Sequence, residues 1–80
     1  MSILPVEVEP LAVDVSFPND CLHVRLADAR EITVPLTWFP RLKNATAKQR
    51  KQWRLIGGGM GIRWEELDKD VSVESLLRLR

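Results

Sequence analysis

The sequence predicts an α+β fold: a three-stranded antiparallel meander, two short helices, one or two further strands and a short C-terminal helix. Three observations predict it. Residues 11–36 hold three stretches in which apolar and polar side chains alternate. Residues 37–53 lose that alternation and carry helix-capping residues instead. Residues 56–77 run from a glycine cluster through an apolar–basic–aromatic strand and an acidic turn to a helix start. A chain of 80 residues is expected to form one domain. Residues 1–10 read as an extended lead-in and residues 11–80 as a single α+β domain.

In the lead-in, Val6 and Val8 alternate with Glu7 and Glu9, and Pro5 and Pro10 restrict any strand there to a sheet edge. Leu11, Val13, Val15 and Phe17 recur at period two, the pattern of a half-buried strand. Pro18-Asn19-Asp20 is a turn by composition. Leu22, Val24 and Leu26 then share one face, with His23 and Arg25 on the other. After the turn Ala27–Arg30, Ile32 and Val34 repeat the alternation. Short links between such strands make a meander, with one covered face and one wet face.

Thr37 is placed to cap a helix beginning Trp38-Phe39-Pro40, because proline is tolerated in a first turn. Phe39 and Leu42 would face the core, and Asn44 suits a left-handed ending. Thr46-Ala47-Lys48-Gln49 matches a capping box and predicts a second helix to about Trp53. Arg54-Leu55-Ile56 should re-enter the sheet and continue through the glycines to Ile62-Arg63-Trp64, with the helices on one face of a mostly antiparallel sheet. Ser72 is a good N-cap for a last helix from Val73 to about Arg80, packed through Val73, Leu76 and Leu77. Val71 and Leu76 stand at the spacing of a hydrophobic staple around that cap.

Several chemistries have little support. The run Gly57-Gly58-Gly59-Met60-Gly61 leads into a strand with no Gly-Lys-Ser/Thr behind it, so a turn, a bulge or a strand pressed against a neighbour is preferred over a phosphate cradle. Asp68, Asp70 and Glu74 lack the glycine and bidentate glutamate that a calcium loop places at fixed offsets. His23 and Cys21 have no partners at catalytic spacing, and one cysteine makes neither an intramolecular disulfide nor a thiolate cluster. No catalytic residue, cofactor or metal is therefore expected. The N-terminus lacks a signal-peptide pattern and no run reaches the roughly 20 residues of a membrane span, so a cytoplasmic protein is the default.

Net charge is +1, yet charge is segregated. Residues 41–54 hold Arg41, Lys43, Lys48, Arg50, Lys51 and Arg54 with no acid, whereas residues 65–74 are acidic. The basic stretch has three readings: a solvated helix face, a protein-partner surface, or a nucleic-acid patch with aromatic groups nearby. Trp38, Trp53 and Trp64 are expected to be wholly or partly core, with Trp53 the most exposed because it ends a basic helix. The candidate partner-binding residues are Arg41, Lys43, Lys48, Arg50, Lys51, Trp53 and Arg54. The acidic stretch is expected to meet the basic one within the fold or across a dimer. A small-molecule site between the glycine strand and Trp64 is a further, lesser expectation.

Two stretches, Pro35-Leu36-Thr37-Trp38-Phe39-Pro40-Arg41-Leu42 and Ile62-Arg63-Trp64-Glu65-Glu66-Leu67-Asp68-Lys69-Asp70-Val71-Ser72-Val73-Glu74, resemble the signatures of the small bacterial family of domains of unknown function numbered 2442. The resemblance extends over nearly the whole chain from about residue 11. Glu65 stands where family members often carry proline, and Ser75 where they often carry glycine. The resemblance implies an α+β domain and no enzyme, and carries over no catalytic residues. It also implies a setting similar to toxin–antitoxin pairs, beside another small protein. Some members continue into a helix-turn-helix, which is not expected after Arg80.

The resulting expectation is a non-enzymatic protein-interaction module, possible partners being a small protein encoded nearby in an antitoxin-like arrangement and a second copy joined through an exposed strand edge. A nucleic-acid-associated accessory using the basic helix face is the alternative. No membrane partner is expected.

Overall fold

A computed structural model of the protein describes residues 10–78. The lead-in strand expected around Val6 and Val8, and the last residues of the C-terminal helix, lie outside the described residues. The described strands form two three-stranded antiparallel sheets rather than one. Sheet A is β1 (Ala12–Ser16), β2 (Cys21–Leu26) and β3 (Glu31–Pro35), in that order. Two short helices follow, α1 (Pro40–Lys43) and α2 (Ala47–Arg50). Sheet B is β4 (Arg54–Ile56), β5 (Gly61–Trp64) and β6 (Lys69–Ser72), and leads into α3 (Val73–Arg78).

In sheet A the alternation of β2 and β3 sets the faces as expected. Leu22, Val24, Leu26 and Val34 are buried, Ile32 is half-buried against them, and Arg25 is exposed. β1 departs from its pattern. Its register on β2 steps from Ala12 opposite Leu26 to Asp14 opposite Arg25, leaving Val13 as an extra residue. Such a bulge reverses the side-chain phase. Ala12 and Val15 therefore face inward, and Val13 is 45% exposed although it belonged to the expected inner set. Asn19 and Asp20 both take positive φ at the β1–β2 corner, which a tight hairpin turn requires.

The first helix starts later than Thr37 predicts. Leu36–Trp38 forms a separate 3-10 turn, and Phe39 breaks the helical path with φ −131° and ψ 83°. Pro40 explains the break, because a proline pushes the preceding residue out of the α region. Thr37 makes no capping bond, and Asn44 ends α1 in right-handed rather than left-handed geometry. Leu42 is fully buried and Phe39 half-buried, as expected. The capping box of α2 is complete: Gln49 N donates to Thr46 Oγ1 at 3.1 Å, and Thr46 N donates to Gln49 Oε1 at 3.0 Å. α2 nevertheless stops at Arg50, short of Trp53, because Arg54 already pairs with Arg63 in sheet B.

The glycines do not carry one strand onward. Gly57–Gly59 turns back so that Leu55 pairs with Ile62. Gly59 is also pressed against β1: a Cβ there would lie 2.7 Å from the Ala12 carbonyl oxygen, at a φ of +106°. Turn and close approach thus coincide at one residue. The acidic stretch hides a strand. Lys69–Ser72 pairs along β5, and Val71 is its single buried side chain, too little alternation to distinguish it from a solvated turn. Ser72 caps α3 as predicted, accepting from Ser75 N at 3.0 Å, with Val71 and Leu76 buried on either side. Leu77, expected inside, is exposed.

Both sheets contribute to one apolar cluster. Its largest member is Trp64, fully buried, with its indole N–H donating to the Arg50 carbonyl at 2.9 Å. Phe17 meets the Trp64 ring edge-to-face at 6.3 Å, joining the end of β1 to sheet B.

Candidate functional site

The basic stretch folds into two populations. Its arginines are engaged with the scaffold. Arg41 Nη1 donates to the Asp68 carbonyl at 2.7 Å. Arg50 turns inward instead of fanning outward: Nε donates to the Leu42 carbonyl and Nη2 to the Lys43 carbonyl, each at 2.8 Å. These carbonyls belong to the end of α1, where a cation is favoured. Arg54 pairs with Glu65. Its lysines are different. Lys43, Lys48 and Lys51 are exposed, and among the described residues none forms an ion pair.

The acidic stretch meets the basic one within the fold, through Arg54–Glu65, Arg41 on Asp68, and Gln49 Nε2 donating to Glu66 at 3.3 Å. Three of its carboxylates also converge on Arg63, which reaches Glu65 at 3.0 Å, Asp68 at 3.0 Å and Asp70 at 2.7 Å. The three carboxylates raise the Arg63 pKa, Asp70 most strongly. Arg54, then Arg63, holds the Glu65 carboxyl below its ordinary range. Among the described residues no cluster of histidine, cysteine and carboxylate side chains is arranged to hold a metal ion. His23 lies on the outer face of β2, with Nδ1 2.7 Å from Thr33 Oγ1 and Nε2 2.7 Å from Glu31 Oε1.

Trp38, not Trp53, is the most exposed tryptophan, at 42%. Trp53 is half-buried and packs on the core. It lines a groove of about 300 Å³ together with Val15 and Phe17 from β1 and its end, and Arg50 and Lys51 from α2 and its cap. The groove gathers three of the sequence candidates, Arg50, Lys51 and Trp53. Lys43 and Lys48 do not line it, while Arg41 and Arg54 hold sheet B. Val15 and Phe17 were not foreseen there: their apolar alternation marked them as core, and only the chain's return after α2 makes them a groove wall. Of the small-molecule site expected between the glycine strand and Trp64, the glycine run borders a groove through Gly57 and Gly61, but Trp64 is fully buried and does not line it. That separate groove, of about 460 Å³, also borders Pro10, Ile56 and Met60. No helix among the described residues is long and apolar enough to cross a membrane.

These features define a small α+β protein with two antiparallel sheets sharing one core and a groove that combines aromatic walls with cations. The chain belongs to the family "Protein of unknown function (DUF2442)", whose model matches residues 12–80, as the motifs around Trp38 and Trp64 indicate. Among solved structures it is similar to a protein of unknown function from Rhodospirillum rubrum ATCC 11170. That match has 26% identity and a TM-score of 0.77, and covers 89% of this chain and 88% of that one. It is also similar in fold to an uncharacterized protein from Chromobacterium violaceum, at 24% identity and a TM-score of 0.73, covering 85% of this chain and 64% of that one. No curated protein matches the chain.

Proposed function

We propose that this chain is a non-enzymatic protein-interaction module, acting in the cytoplasm on a small partner protein in the manner of an antitoxin. The observation that carries this reading is the division of labour around α2. Every arginine of the basic stretch is bonded to the fold, which fixes the backbone, while Lys48 and Lys51 form no ion pair among the described residues and Lys51 lines a groove with the half-buried Trp53. An aromatic anchor on a rigid frame with cations close by is what a partner surface uses.

A nucleic-acid role is less favoured by the same division. Phosphate is gripped best by the forked guanidinium, and here Arg41 and Arg54 are already bonded to protein oxygens, while Arg50 has both Nε and Nη2 on carbonyls and cannot present its fork. The three lysines would give a salt slope of only about 2.7 on duplex DNA.

The test is co-expression with the product of the adjacent gene, followed by size exclusion with light scattering. A complex of defined stoichiometry is expected, and charge reversal at Lys48 and Lys51 together should dissociate it. Elution of the chain alone, whether as monomer or dimer, would count against the partner reading.

A further inference from the structure

We infer that the groove between the end of β1 and α2 is the docking point for a partner peptide segment in which an apolar side chain stands beside a carboxylate. This rests on the interaction-module reading and names the chemistry its partner must present.

Shape and charge at the groove point the same way. Its apolar lining comes from separate parts of the chain, Val15 and Phe17 at the end of β1, Ala47 on α2, and Trp53 after α2. Phe17 is fixed by its edge-to-face contact with the buried Trp64, so that part of the lining is pre-organised. Among the described residues, the cations that line the groove have no counter-charge. Arg50 is half-buried, is bonded only to neutral carbonyls through Nε and Nη2, and leaves Nη1 with no acceptor among the described residues. Lys51 is adjacent and unpaired among the described residues. Among the described residues, no carboxylate lines the groove. A guanidinium held in place by two carbonyls and still carrying its full charge is complementary to a carboxylate, which it can engage without first ordering its own side chain. An apolar side chain between Phe17 and Trp53 would bring a neighbouring carboxylate to Arg50 and Lys51. The volume of about 300 Å³ admits one side chain of leucine or phenylalanine size rather than a helix face.

The experiment is a titration of the isotope-labelled full chain, followed by amide and indole resonances. Three probes are used at matched concentrations: a short synthetic peptide of leucine, phenylalanine, aspartate and glutamate; the same peptide with asparagine and glutamine for its acids; and a single-stranded oligonucleotide. The acidic peptide should shift the Trp53 indole and the amides of Phe17 and Lys51, saturably and more weakly as salt rises. Lys51→Glu should weaken it roughly 5- to 10-fold, about the size of one partly desolvated charge contact. Arg78→Glu, an equal charge change on α3 outside the groove, should leave it unchanged. The indole signal of Trp64, bonded to Arg50, reports that each variant is folded.

Equal binding of the amide peptide, shifts confined to other surfaces, no binding of the acidic peptide, or preference for the oligonucleotide would each overturn the assignment. If the co-expressed partner still binds and Lys51→Glu leaves that complex intact, the groove assignment fails while the module reading stands. If no partner complex forms, the module reading fails irrespective of the peptide result.

Discussion

Sheet A has strands of five, six and five residues, and sheet B has strands of three, four and four. The longer sheet sets its register by alternation, with Leu22, Val24 and Leu26 in a row on the inner face of β2. A one-residue slip would expose all of them. Sheet B has fewer inner residues for that. β5 contributes Ile62 and Trp64, β6 only Val71, and β4 the half-buried Leu55 and Ile56. Its place is set by point contacts instead: the Trp64 indole on Arg50, Gly59 against Ala12, and Arg63 among three carboxylates. Short strands can be ordered in a small domain when single residues anchor them, and each anchor then matters more than an average core position.

The largest expected effect tests this directly. Trp64→Ala removes the biggest buried side chain and the bond that ties β5 to the end of α2. It should cost about 4 kcal/mol, comparable to the whole stability expected of so small a domain, and leave the chain largely unfolded in a urea titration. Leu22→Ala in sheet A should cost less, since its strand keeps two buried neighbours on the same face. Equal losses at the two sites would show that sheet B is not held by its anchors.

The same contrast explains what could be read from the sequence. β2, β3 and the caps at Thr46 and Ser72 were legible because each is a local pattern: alternation, or a hydroxyl at a set distance from the backbone N–H it accepts. Sheet B was only partly legible. Lys69-Asp70-Val71-Ser72 has one inward apolar residue, and its acids look like a turn until Arg63 is seen to neutralise them. The bulge at Val13 leaves no local sign, and neither does the inward turn of Arg50, whose acceptors lie seven and eight residues earlier. The candidate site was legible as a list of cations and aromatics. It was not legible as a groove, because Val15 and Phe17 reach it from far along the chain.

Next in size is the glycine corner, where two neighbours separate conformation from contact. Gly58 has φ +67° with open space around it, and Gly59 has φ +106° with the Ala12 carbonyl oxygen 2.7 Å from where a Cβ would lie. Gly58→Ala should cost about 1 kcal/mol, for the left-handed backbone alone. Gly59→Ala should cost about 3 kcal/mol, because β1 must also move. Thermal unfolding of both variants checks the difference. Similar losses would mean that the approach to β1 contributes nothing beyond the turn.

A smaller effect concerns acid. Glu65 in the β5–β6 turn and Asp28 in the β2–β3 turn are both held below the ordinary carboxylate range, Glu65 chiefly by Arg54 and Asp28 chiefly by the Arg30 backbone N–H. A carboxyl with a lower pKa folded than unfolded stabilises the fold at pH above its unfolded value and loses that contribution as pH falls through its folded value. Both should therefore weaken the protein on acidification. The loss at Glu65 is felt across β4 and β5, which its two arginines join, whereas Asp28 acts within its own turn. Amide exchange followed down in pH should show Leu55 and Ile62 opening before Leu22 and Val24. Glu65→Gln should flatten that acid dependence and Asp28→Asn should not. The reverse order of opening would place the acid-sensitive contact in sheet A.

The smallest effect belongs to Val13. An uninterrupted β1 would turn this side chain into the core with Val15, and Val13→Thr would then bury a hydroxyl among apolar groups at a cost of about 1–3 kcal/mol. The bulge places Val13 on the outside, 45% exposed, so the hydroxyl is hydrated and the change should stay within about 0.5 kcal/mol of neutral. Val15→Thr, two residues on and buried, is the paired control and should show the full loss. Chemical denaturation of the two variants reads the phase of β1 directly: large losses at both positions would remove the bulge, because an uninterrupted strand turns residues 13 and 15 to the same face.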